Sequence, residues 1–138
     1  NSNPQYKNYF KFSFVRNPFD RFVSAYSDFS QIRNVDLSPF SSFCEEFPHS
    51  KFSKDIHWIP QSELLCDDVG NIIPDFVGRY ENLNDDLKTI SDIIGIDINV
   101  GHHRKTNRTY YKQMFSSKTR DIIENFFSVD LNKFNYEF

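Results

Sequence analysis

Residues 11–29 read KFSFVRNPFDRFVSAYSDF, and this stretch decides the fold. The run YFKFSFV at 9–15 is aromatic and β-branched with partial alternation, which predicts a short strand reaching Arg16. Asn17 is a good helix cap and Pro18 a good first helical residue. Phe19, Phe22, Val23 and Tyr26 then recur at helical spacing. The prediction is strand, tight turn, helix, with Arg16 at the strand's carboxyl end and Ser24 two turns into the helix.

Outward from this junction, SPFSSFCEEF at 38–47 predicts a second short helix with Ser38 as cap and Phe40, Phe43, Cys44 and Phe47 on one stripe. Residues 48–71 break the periodicity and read as a long loop with a helical turn at 61–65. A second strand is expected at 75–80, followed by an amphipathic helix closed by Gly95. The segment DINVGHHRKTNRTYYKQM at 97–114 is the most basic part of the chain, and Ser116 or Ser117 caps one C-terminal helix carrying Ile122, Ile123, Phe126 and Phe127. Alternating strands and helices place the chain in the α/β class, although a parallel sheet usually has more than two strands.

The 138 residues suit one domain with a real core. Sixteen phenylalanines predict that this core is built from phenyl rings and that the Phe stripes are not a ligand box. A net charge of −3 gives no global field for nucleic acid, so any anion site must be built locally. Cys44 and Cys66 lack metal-ligand spacing, which argues against zinc and leaves a disulfide possible but unsupported. No apolar run approaches the length of a membrane span.

In α/β sheets, ligands sit beyond the carboxyl ends of strands, where helix N-termini favour anions. Arg16 ends its strand there, and its planar fork suits a phosphate, to which the Ser24 hydroxyl can add a donor. The competing reading pairs Arg16 with Asp20 or Asp28 and leaves Ser24 as a small packing residue.

The string FVRNPFDRFVSAY, at 14–26, resembles the 3′-phosphate-binding motif of sulfotransferases that use 3′-phosphoadenosine 5′-phosphosulfate, in the carbohydrate branch that contains the heparan, dermatan and chondroitin enzymes. Weaker likenesses follow in His57-Trp58-Ile59-Pro60, in FVGRYENLNDDL, in HHRKTNRTYY and in the aromatic ending FFSVDLNKFNYEF. The resemblance implies a P-loop-like sulfotransferase fold and sulfuryl transfer from the nucleotide to a hydroxyl or amine of a carbohydrate-type acceptor, with no metal. It implies 3′-phosphate binding by Arg16 and Ser24, and nucleotide contacts from the loop carrying Arg104, Lys105 and Thr106. Arg21 is expected to support the helix or an ion pair.

The family's other cofactor element is a K-x-[GA]-[ST] loop upstream of the first motif, and the 15 residues before Arg16 contain no glycine. The expectation is therefore one sulfotransferase-like domain over 1–138 that lacks its first strand-loop-helix, with no identified catalytic residue beyond the candidate His57. The alternative is a non-catalytic module of the same fold that binds a nucleotide or a sulfated glycan. Glu81 is read as structural, bridging to Arg79 or capping the following helix. Richness in Asn, Phe, Ile and Lys with four glycines suggests an AT-rich microbial or viral source, and hence a cytoplasmic protein in preference to one of the Golgi lumen.

Overall fold

Strand β1, Phe12–Val15, forms where its neighbour can pair with it. It lies parallel to β2, Phe76–Arg79, in the register Phe12↔Phe76 to Val15↔Arg79. The computed structural model describes residues 8–98 and 110–138, and among these the sheet has two strands. The α/β class and both strands are as expected, but β1 is shorter than residues 9–15. At Lys11 the ladder gives way to Asp75, whose carboxylate accepts from Lys11 N at 2.8 Å while Lys11 O accepts from Asp75 N at 2.7 Å. Gly78 lets the strands close: an added Cβ would stand 2.5 Å from the Phe14 ring and 3.1 Å from an Asp86 carboxylate oxygen.

Asn17 caps α1, Pro18–Ser27, by accepting from Phe19 N at 3.0 Å, and the missing amide of Pro18 costs nothing at the first helical position. The chain continues through a wide turn, Asp28–Ile32, to α2, Phe40–Glu46. Pro39, not Ser38, precedes α2, without a side-chain cap, and the Ser38 hydroxyl donates to Glu46 at 3.1 Å. The expected turn at 61–65 is α3, Gln61–Leu65, and β2 leads through Tyr80–Asn82 into α4, Leu83–Ile94. Gly95 ends α4 in the left-handed region at φ 71°, as a glycine C-cap does.

The single C-terminal helix expected from periodicity is two helices, α5, Ser117–Phe126, and α6, Ser128–Phe134. Ser116 and Thr119 form a reciprocal capping box at the start of α5. The break falls at Phe127, with φ −98° and ψ 18°, and Asp130 on α6 is fully buried against the start of α3.

The core is aromatic, as the composition predicts. Phe19, Phe22, Phe43, Phe47, Trp58 and Phe127 are all buried in one cluster with Cys44 and Ile123. Phe22 is the hub, with ring centroids of Phe47 at 4.9 Å, edge to face, and Phe43 at 5.8 Å. These contacts join α1, α2 and the C-terminal helices in one packed body. Cys44 and Cys66 are free thiols, and burial pushes the Cys44 thiol up to about 12. Truncating Phe22 to alanine removes the hub of the cluster and should cost about 3–5 kcal/mol, a large share of the roughly 5–15 kcal/mol that holds such a domain. Urea denaturation of Phe22→Ala measures this, and a loss below 1 kcal/mol would contradict the packing.

Candidate functional site

The carboxyl end of a parallel strand leaves backbone groups without ladder partners, and side chains take that role here. Arg16 N donates to Gln61 Oε1 at 2.9 Å, and Arg16 O accepts from Gln61 Nε2 at 2.9 Å. Asn17 N donates to Glu81 Oε1 at 2.6 Å, and the Asn17 side-chain amide donates to Glu137 O at 2.8 Å. Glu81 is structural, as expected, but through other partners: it accepts from Asn17 and from the Tyr136 hydroxyl at 2.7 Å. Arg79 turns instead to Phe134 O, at 2.7 Å, and stacks on the Tyr136 ring. Burial and the bond to Glu81 hold the Tyr136 phenol above its usual range.

Arg16 and Ser24 come together. Both line a cleft of about 390 Å³ with Arg21, Asp28, Ile56 and His57. Arg16 Nε donates to Asp20 at 2.6 Å and its guanidinium lies 4.5 Å from the Tyr80 ring centre. The Asp20 pairing weighed in the sequence is therefore present, whereas Asp28 takes Arg33, at 2.6 Å. The Asp20 contact uses Nε alone. Neither terminal nitrogen of Arg16, and not the Ser24 hydroxyl, makes a hydrogen bond to another described residue, and both residues line the same cleft.

Arg21 anchors the wall of that cleft. Its guanidinium donates to Ile59 O at 2.8 Å and to Ile56 O at 3.0 Å, which ties α1 to the loop that carries His57. Burial draws its pKa below the usual value, Asp130 opposes that effect and the neighbouring charge of Arg16 adds to it. Two guanidinium groups thus stand at this cleft, with Asp20 paired to Arg16, Asp130 acting on Arg21 and Asp28 in the lining.

His57 is engaged at both ring nitrogens. Nδ1 lies 2.7 Å from Asp55 Oδ1 and Nε2 lies 2.9 Å from an Arg33 amino group. Since Arg33 can only donate, Nε2 is the acceptor, and Nδ1–H donates to Asp55. The adjacent Trp58 is fully buried in the aromatic core, which fixes the loop. Arg104, Lys105 and Thr106, expected to contact the nucleotide, lie outside the described residues. Sequence reasoning missed Gln61, Tyr80, Arg33 and Asp130, since no spacing pattern marks a polar side chain that meets its partner only across the fold.

A model of the family described as "Sulfotransferase family" matches residues 1–137. Among curated proteins, the chain is similar to carbohydrate sulfotransferase 9 of Homo sapiens, with 26% identity over 168 residues, covering 93% of this chain and 38% of that protein. The chain thus spans well under half the length of this relative. No solved structure matches. The likeness to a human carbohydrate sulfotransferase overturns the expectation of a cytoplasmic microbial or viral protein, which rested on composition alone. No described helix is long and apolar enough to cross a membrane.

The Asp55 carboxylate is held below its usual range, chiefly by the His57 backbone N–H; burial opposes this, and the His57 ring and Arg33 add to the lowering. A lowered folded pKa contributes stability that is present above the unfolded value, about 4, and is lost as pH falls through the folded one. The protection factor of the His57 amide, its exchange rate relative to an unstructured chain at the same pH, should therefore be higher at neutral pH and fall below about pH 4. Asp55→Asn should remove that pH dependence, and an unchanged profile in the variant would contradict the assignment.

Proposed function

Because the chain belongs to the sulfotransferase family, we propose that its cleft holds the 3′-phosphate of 3′-phosphoadenosine 5′-phosphosulfate. The protein as a whole transfers a sulfuryl group from that donor to a hydroxyl or amine of a carbohydrate-type acceptor. One observation carries the reading: Arg16 and Ser24, eight positions apart in the motif, line one cleft at the carboxyl end of β1. The guanidinium edge left over from the Asp20 contact suits two phosphate oxygens, and Ser24 offers a third donor. Arg104, Lys105 and Thr106 are assigned to the same nucleotide on the motif alone.

Sulfuryl transfer needs little covalent chemistry from a protein, and it depends on positioning the reacting groups and on donors aimed at developing charge. The nucleotide supplies the sulfuryl group. In this reading Arg16 and Ser24 anchor the end remote from the transferred group, so that binding energy there orients the donor. His57 is a wall of the site. For it to act as a base, Nε2 must first release Arg33.

Adenosine 3′,5′-bisphosphate, which carries the same 3′-phosphate, should raise the thermal midpoint of the chain. At a ligand concentration a hundred times Kd the gain is about 2.7 kcal/mol. Arg16→Ala should abolish the shift and Ser24→Ala reduce it. Absence of any shift at millimolar ligand would overturn the reading.

A further inference from the structure

We infer that Gln61 is a positioning residue for Arg16, acting through the backbone and not through the ligand; the inference rests on the proposed function of the cleft. The parallel ladder ends at Val15↔Arg79, one residue before the arginine. Arg16 N and O therefore fall just beyond the sheet, where a peptide is free to rotate unless something else holds it. Gln61 replaces the missing rung. A single amide accepts from Arg16 N and donates to Arg16 O, both at 2.9 Å, as a neighbouring strand would.

The amide cannot be replaced by water, because Gln61 is only 6% exposed. Its orientation is set by Asp130, a fully buried carboxylate on α6. Asp130 Oδ2 accepts from Gln61 N at 2.6 Å and stands 3.5 Å from Gln61 Nε2, while Oδ1 accepts from Ser62 N at 2.8 Å. Turning the amide over would set Gln61 Oε1 against two oxygens and Nε2 against the Arg16 N–H, so a single orientation satisfies every partner. Asp130 thus holds the start of α3, α3 holds the Gln61 amide, and the amide holds the peptides on both sides of Arg16. A guanidinium at the end of a long side chain magnifies any rotation at its own backbone. Fixing that backbone fixes where the fork points.

The test compares two nucleotides by titration calorimetry: adenosine 3′,5′-bisphosphate and adenosine 5′-phosphate, which lacks the 3′-phosphate. The wild-type chain prefers the bisphosphate, and Arg16→Ala removes that preference. Gln61→Met preserves side-chain length and removes both bonds to Arg16. It should cut the preference by about tenfold, equivalent to about 1.4 kcal/mol, while leaving affinity for adenosine 5′-phosphate unchanged. A purely structural role would lower the thermal midpoint and weaken both nucleotides alike. If Gln61→Met does not fold, Gln61→Asn decides the matter, since it retains the amide on a stem too short to reach both groups. Full preference in the folded Gln61 variant, alongside its loss in Arg16→Ala, overturns the positioning role and spares the cleft. Equal binding of both nucleotides by the wild-type chain overturns the cleft reading and this inference together.

Discussion

The site depends on satisfying the backbone at the end of β1. Two consecutive residues, Arg16 and Asn17, leave the ladder in a place that is nearly closed to solvent, and a buried amide or carbonyl without a partner costs about 1–3 kcal/mol. Gln61 and Glu81 meet these groups, one from the start of α3 and one from the turn after β2. The Asn17 side chain adds a bond to Glu137 O near the chain's last residues. A turn that local chemistry begins is thereby completed by residues from three separate segments, and the cleft inherits its shape from them.

The aromatic core gives these polar contacts a rigid frame. Phe22 and Phe19 seat α1 against the α2 segment and the C-terminal segment, while Trp58 anchors the loop that precedes α3. Arg21 leaves this same helix to hold the carbonyls of that loop. One helix therefore presents its apolar face to the core and lines the cleft with Arg21 and Ser24. Burial of the first face leaves little freedom in the second.

Much of this was legible in the sequence. Asn17-Pro18 announces a helix start by chemistry that acts within one turn, and Gly95 announces a helix end in the same way. Phe stripes mark buried faces because the period of a helix forces them to. The misreadings have one cause. Periodicity carried straight through Phe127 because α5 and α6 both show the core their apolar residues, so the bend left no trace in spacing. Ser38 has the chemistry of a cap, but α2 starts one residue further on, after Pro39. Glu81 was recognised as structural with the wrong partners, since Arg79 is closer in sequence but is drawn away by Tyr136 and Phe134 O.

By itself, the sequence determined what short-range physics controls: the strand-to-helix junction, the Phe-rich faces, and the spacing that brings Arg16 and Ser24 to one flank of α1. Tertiary structure alone decided what surrounds them. Gln61 meets Arg16 across 45 positions and Asp130 meets Gln61 across 69. No local preference encodes such pairs, because each polar group would be equally well satisfied by water in the unfolded chain. Only when packing excludes water must the Arg16 backbone find a protein partner, and the fold determines that this partner is Gln61.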